Sequence, residues 1–154
     1  MIGNDIVDLE QAERDSNWKR PGYLIKLFTS EEQFLISSNI QPDCMVWLLW
    51  TMKESAYKID SRISKLREFA PAKLVCNNLI IHDNTATGNV TYNDQLYFTK
   101  SVIEESYIHT IASITPEELE VIKIQIIETK EHSLRFGNPD SVSHHGKFLA
   151  FVYA

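Results

Sequence analysis

The stretch MVWLLWTMKESAYK, residues 45–58, decides how this 154-residue chain is read. Trp47, Leu48, Leu49 and Trp50 leave little of a helix over this stretch for water. Yet Lys53, Glu54 and Lys58 interrupt the apolar run. On a helix, positions i, i+3, i+4, i+7 and i+8 share a face. Counting from Trp50, that face carries Lys53, Glu54, Tyr57 and Lys58. A solvent-facing Glu–Lys pair at i,i+4 is one reading, worth only about a few tenths of a kcal/mol. The crowding of tryptophan and leucine counts against it, because burying a charge is costly unless something compensates it. The other reading is a partly buried carboxylate flanked by lysines. Such a carboxylate holds a hard cation while the ammonium groups neutralise phosphate oxygens.

Working outward, the helix spans roughly residues 44–66, with Gln41-Pro42-Asp43 interrupting before it. In LFTSEEQFLI (27–36), Thr29 or Ser30 caps a helix whose first turn carries Glu31 and Glu32. MIGNDIVDL (1–9) reads as a short strand running into a turn, followed by a short helix over 9–18 that KRPGY (19–23) breaks. From Ala72 the texture changes to short β-type runs: AKLVCNNLIIH, GNVTYND, QLYFTKSVI, SYIHTIASI and VIKIQIIE. The turn-rich FGNPDS (136–141) precedes a last strand, KFLAFVYA (147–154). Helices come early and strands late, without βαβ alternation. This predicts one α+β domain over 1–154, an antiparallel sheet packed against a long helix.

The net charge of −6 argues against general nucleic-acid binding. No apolar run approaches the roughly 18 residues of a membrane span, so no membrane partner is expected. The acidic start MIGNDIVDLEQ is unlike a signal peptide, and a cytoplasmic protein is expected. Cys44 and Cys76 lie far apart and read as reduced packing residues. Bases crowd the first half, from Arg14, Lys19, Arg20 and Lys26 through Arg62, Lys65, Arg67 and Lys73. A local basic surface on an acidic protein is therefore expected.

A cation at Glu54 needs a second carboxylate, since Mg²⁺ takes one or two and completes its octahedron with water and phosphate oxygens. Asp5 is the best candidate, at an apolar strand start just after Gly3-Asn4, where backbone can approach closely. Asp8 and Glu10 read as facing outward at a helix start. Near the C-terminus, Ser141, Ser143 and His144 precede a glycine and an apolar strand. Small hydroxyls beside a histidine can donate to a phosphate there, or simply form a polar turn. His82, His109 and His132 read as structural or surface residues, and His145 stays ambiguous.

These stretches together resemble the 4′-phosphopantetheinyl transferase superfamily. IGNDIVDL is similar to its Gly-x-Asp strand motif, WTMKESAYK to its Trp-x-x-Lys-Glu-x-x-x-Lys helix motif, and SVSHHGKFLAFVYA to its Ser-His strand motif. LFTSEEQF and REFAPAKL are similar to the segments around the helix motif. The motif order resembles the holo-acyl-carrier-protein synthase branch. The resemblance implies a Mg²⁺-dependent transfer of 4′-phosphopantetheine from coenzyme A to a serine of an acyl carrier protein. Adenosine 3′,5′-bisphosphate is released. It implies Asp5 and Glu54 as metal ligands, Lys58 on the phosphates, and Ser143 and His144 on coenzyme A. The serine proton would leave through Glu54 or a water held by the metal.

Two positions depart from the family pattern. Val7 stands where the longer, surfactin-type branch has a second acid, and Leu49 where the shorter branch often has arginine. Lys53, Arg62 or Lys147 are candidates to take over the missing phosphate contact. An acidic carrier protein would meet a basic patch of Arg14, Lys19, Arg20 and Lys26. With one copy of each motif, a homotrimer whose neighbours lend Ser143 and His144 is one expectation. A monomer shielded by the added residues 76–135 is the other. The competing functions are a metal-dependent phosphohydrolase using the same Asp5–Glu54 pair, and a catalytically silent domain that binds carrier protein or coenzyme A.

Overall fold

Along β1 (Ile2–Asp8) the side chains alternate between two environments, as a strand's period of two requires. A computed structural model describes residues 1–129 and 137–154 and shows what lies on each face. Gly3, Asp5 and Val7 face the long helix α4 (Pro42–Ser64). Ile2 and Ile6 face a second sheet, where Ile2 packs with Val152, and with Ile111 of its own sheet, and Ile6 with Phe148 and Ala150. The strand is the seam between the two halves of the molecule.

Around it the chain runs α1 (Leu9–Asp15), α2 (Tyr23–Leu27), α3 (Ser30–Ser38) and α4, then β2 (Val75–His82), β3 (Thr85–Tyr92), β4 (Gln95–Ile103) and β5 (Tyr107–Ser113). A short α5 (Glu118–Val121) leads into β6 (Lys123–Glu128), and β7 (Ser141–His145) and β8 (Phe148–Tyr153) close the chain. One sheet has the order β1-β5-β4-β3-β2 and the other β6-β8-β7, and every pairing in both is antiparallel. This is the α+β architecture expected from the sequence.

Helix α4 lies on the five-stranded sheet and supplies the core's centre: Val46, Leu48, Leu49, Met52, Ala56 and Ile59 are fully buried. It starts at Pro42, two residues earlier than the sequence suggested, because proline in the first turn has no N–H that the helix would use. Thr29 caps α3 through a reciprocal capping box with Glu32. Asn93 and Asp94 both take positive φ, 49° and 61°, in the tight turn joining β3 to β4.

The C-terminus differs from expectation in one respect that matters. SVSHH is itself a strand, β7, turned onto β8 by Gly146 at φ 53°, where the sequence suggested a polar turn before a single strand. Alternating small polar side chains gave no apolar signal, yet they are buried against β1. The second sheet and the short α2 and α5 were likewise unforeseen. His132 and Phe136 lie outside the described residues.

The approach of α4 to β1 depends on Gly3. A Cβ there would collide with the Ser55 carbonyl oxygen, a backbone atom held inside the helix and unable to step aside. Gly3→Ala is therefore expected to destabilise the fold by roughly 3 kcal/mol, at the upper end for overpacking. Urea unfolding of the variant against wild type measures it, and a loss below about 1 kcal/mol would contradict so tight an approach.

Candidate active site

An edge strand leaves backbone groups on one side without a partner. On β1 these belong to Ile2, Asn4, Ile6 and Asp8, and one group of each is met by a side chain. Arg62 donates to the Ile2 carbonyl at 2.6 Å, and Lys58 donates to the Asn4 carbonyl at 2.6 Å. The Ile6 N–H donates to Ser143 Oγ at 3.1 Å, and the Asp8 N–H to His145 Nδ1 at 2.9 Å. Helix α4 thus closes one half of the edge and β7 the other. Asn4, fully buried, completes the seam: its amide donates to Ser141 Oγ at 2.7 Å, and His109 Nε2 lies 3.1 Å from its side-chain oxygen. Burial, helped by the Lys58 charge, lowers the His109 pKa to about 4, so its imidazole is neutral and donates this bond.

This closure aims Asp5. Its Oδ1 accepts from Ser143 Oγ at 3.0 Å and from Lys58 Nζ at 3.2 Å. Across from it, one turn before Lys58 on α4, stands Glu54, half-buried and without a hydrogen-bond partner among the described residues. Burial raises the Asp5 pKa, although Lys58 and Ser143 pull it back. Burial and then the neighbouring Asp5 charge push Glu54 up to about 7, against the pull of Lys58. Both carboxylates line a cavity of about 310 Å³ with Tyr23, Trp47, Trp50, His144 and His145.

The donor set suits a hard dication. Two oxygen-bearing side chains converge, one of them unpartnered. No group of three or more His, Cys, Asp or Glu that could hold a metal occurs among the described residues. Asp5 and Glu54 are therefore the two residues of the cavity that could hold a hard cation, with other ligands drawn from water or substrate. Val7, at the position of a second acid in the longer branch, is instead buried in the α4 core.

The other candidates fall into two groups. Lys58, Ser143 and His144 gather at the site. Ser143 is itself buried and spends its hydroxyl on Asp5 and Ile6, while the exposed His144 borders the cavity. Ser143 reaches the Asp5 of its own chain, and His144 of the same chain lines the cavity with it. Lys53 is corrected. It is fully buried and donates to Glu32 Oε1 at 2.7 Å and to the carbonyls of Leu27 and Pro71 at 2.8 Å. Removing it would strand a buried Glu32, at a cost of about 3–5 kcal/mol, and it cannot reach coenzyme A. Leu49 is fully buried as well. Arg62 is committed to Ile2, leaving Lys147 on the β7–β8 turn as the remaining candidate named for a phosphate.

Asp8, read as outward-facing, is buried and structural. It caps α1 through Gln11 N and accepts from Lys147 N. Burial would raise its pKa, but these backbone donors outweigh it and hold the carboxyl below its ordinary value. A Cβ at Gly146 would strike this carboxylate. Arg14, Lys19, Arg20 and Lys26 are all exposed along α1 to α2. Arg14 pairs with Glu10, Lys19 lies over the Trp18 ring, and Arg20 over Tyr23 at the cavity's edge. The roles of Asn4 and His145 were missed. Their signal was the alternation of polar residues in β1 and β7, visible only once the two strands were known to touch.

Residues 1–112 match the family model described as the 4′-phosphopantetheinyl transferase superfamily. The match covers Asp5, Glu54 and Lys58 and stops before β7. No curated protein sequence matches the chain. Among the described residues, no helix is long and apolar enough to cross a membrane.

The raised Glu54 pKa carries a pH signature. An acid whose folded pKa lies above its ordinary 4.5 contributes stability that is fully present below about pH 4.5 and is lost as the pH rises through about 7. In chelator-treated protein, urea unfolding across this window should show that decline in wild type and a flatter profile in Glu54→Gln. Parallel profiles would contradict the assigned environment of Glu54.

Proposed function

We propose that this chain, which belongs to the 4′-phosphopantetheinyl transferase superfamily, moves the 4′-phosphopantetheine of coenzyme A onto a serine of an acyl carrier protein with Mg²⁺, in the manner of the holo-acyl-carrier-protein synthase branch. One observation carries the reading: Asp5, held by Lys58, and the unpartnered Glu54 line one cavity that His144 borders. Asp5 and Glu54 are the residues that would hold the cation. Bound there, Mg²⁺ would supply positive charge to the diphosphate of coenzyme A.

The remaining work falls to the chain's own groups. The serine oxygen forms a bond to the phosphorus bearing the pantetheine arm, and the bond from that phosphorus to the bridging diphosphate oxygen breaks. Adenosine 3′,5′-bisphosphate leaves. Negative charge grows on the phosphate oxygens as this happens, and the Lys58 ammonium is within the site to meet it. The serine must lose a proton, and Glu54, which faces the cavity beside Asp5, is placed to accept it. His144, exposed at the rim, is free to contact coenzyme A. A neighbouring groove of about 400 Å³ shares Ala12, Ser16 and Trp47 with the cavity, and Trp18 and Cys44 give the uncharged arm an apolar path. Of the exposed bases from Arg14 to Lys26, Arg20 lies over Tyr23 at the cavity's edge, and together they suit an acidic carrier.

The test is incubation with coenzyme A, Mg²⁺ and an apo acyl carrier protein, followed by mass spectrometry of the carrier. A gain of one phosphopantetheine on its serine, with equimolar adenosine bisphosphate, is expected. Free phosphopantetheine without carrier modification would instead mark a hydrolase, and no turnover of coenzyme A would mark a silent binding domain. Asp5→Asn and Glu54→Gln should each lower the rate by about a hundredfold or more. Together they should cost little more than either alone, since both disable one site. At low carrier concentration the rate should fall with added salt, and Arg20→Glu should blunt that dependence.

A further inference from the structure

Lys58 makes more contacts with the protein than a lysine reserved for a substrate phosphate needs. Its Nζ donates at 2.6 Å to the Asn4 carbonyl and at 3.2 Å to Asp5 Oδ1, the oxygen that Ser143 also engages. It is mostly buried, on the same helix as Glu54 and one turn beyond it. Asp5 and Glu54 line one cavity and, when both are ionised, repel each other. Lys58, with its Nζ 3.2 Å from Asp5 Oδ1 and one turn from Glu54, is the cation set against this repulsion.

We infer that Lys58 is a built-in counter-cation that competes with the divalent ion for Asp5 and is released onto the substrate diphosphate when both ligands are present. The inference rests on the proposed metal and diphosphate site and adds a regulation to it. The contact geometry shows how the exchange works. A lysine ammonium has three N–H donors. The short bond to the Asn4 carbonyl keeps the side chain in place, the longer one to Asp5 is the contact to be surrendered, and the third donor is available to a phosphate oxygen. With Lys58 on Asp5, an incoming dication meets a carboxylate pair whose charge is already half neutralised. A diphosphate bound beside it draws the ammonium away and restores the full attraction. The two ligands therefore favour each other's binding through Lys58, in addition to any direct contact between them.

Mn²⁺ titration followed by electron paramagnetic resonance tests this, using Mn²⁺ as the probe on the full chain with and without coenzyme A. Lys58→Met removes the charge but keeps the length of the side chain. Without coenzyme A it should bind Mn²⁺ about tenfold more tightly than wild type. Coenzyme A should then improve its Mn²⁺ affinity by a smaller factor than in wild type. Lys58→Gln, which is uncharged but keeps a side-chain donor, is the second neutral variant and should behave as Lys58→Met does. Lys58→Arg, which keeps the charge, should not gain affinity. Equal or weaker Mn²⁺ binding in the neutral variants overturns the inference. Glu54→Gln separates this from failure of the underlying reading: if it leaves Mn²⁺ binding unchanged, the metal is not held at Asp5 and Glu54, and the site assignment fails as well.

Discussion

The outer edge of β1 has no strand to pair with, and the site exists because side chains meet four of its backbone groups instead. Left to itself, that edge would need water or another chain. Arg62 and Lys58 from α4 take the carbonyls of Ile2 and Asn4, and Ser143 and His145 from β7 take the N–H groups of Ile6 and Asp8. The side chains that seal the edge are thereby held around Asp5, which lies in the middle of it. Gly3 lets α4 come close enough for Lys58 and Glu54 to reach the same place. One structural need, closing an unpaired edge, fixes the positions of an acid, a base and a hydroxyl.

The two lysines of the helix motif show how similar sequence neighbours separate in function. Lys53 and Lys58 are both cations on an apolar helix, and both are satisfied by a carboxylate and backbone carbonyls. Lys53 has no exposure at all and three fixed acceptors, with Glu32 in turn bound to Cys76 N and Thr29 N. That closed set joins α3, α4 and the start of β2, and it has no capacity left for a ligand. Lys58 keeps partial exposure and one longer contact to Asp5. Burial costs both charges their hydration, but only Lys58 retains a donor that a substrate can use.

Much of this was legible in the sequence. The apolar helix with its three charges, the Gly3–Asp5 strand start and the α+β order all appear in the structure where the pattern put them. The alternation that places Gly3, Asp5 and Val7 on one face is a direct consequence of strand geometry. What the sequence hid were contacts between distant segments. Ser141, Ser143 and His145 alternate at a strand's period, yet being polar they gave no hydrophobic signal, so β7 passed for a turn. Lys53 looked like a ligand contact because its partner Glu32 lies far away in the chain, where it also reads as an ordinary capping glutamate. Asp8 passed for an outward-facing acid because the turn it anchors, at Gly146 and Lys147, comes at the other end of the chain.

Because β7 folds against its own β1, the central expectation is that a single chain completes the site. Subunit mixing tests this most directly. Glu54→Gln and the double variant Ser143→Ala/His144→Ala, each shown to be inactive alone, are combined under conditions that permit exchange of any subunits. A site completed in cis predicts that the mixture stays as inactive as its components, because no chain in it holds both an intact Glu54 and an intact Ser143–His144 pair. Recovery of transferase activity on mixing would show that neighbouring chains lend these residues to one another, and would contradict the account.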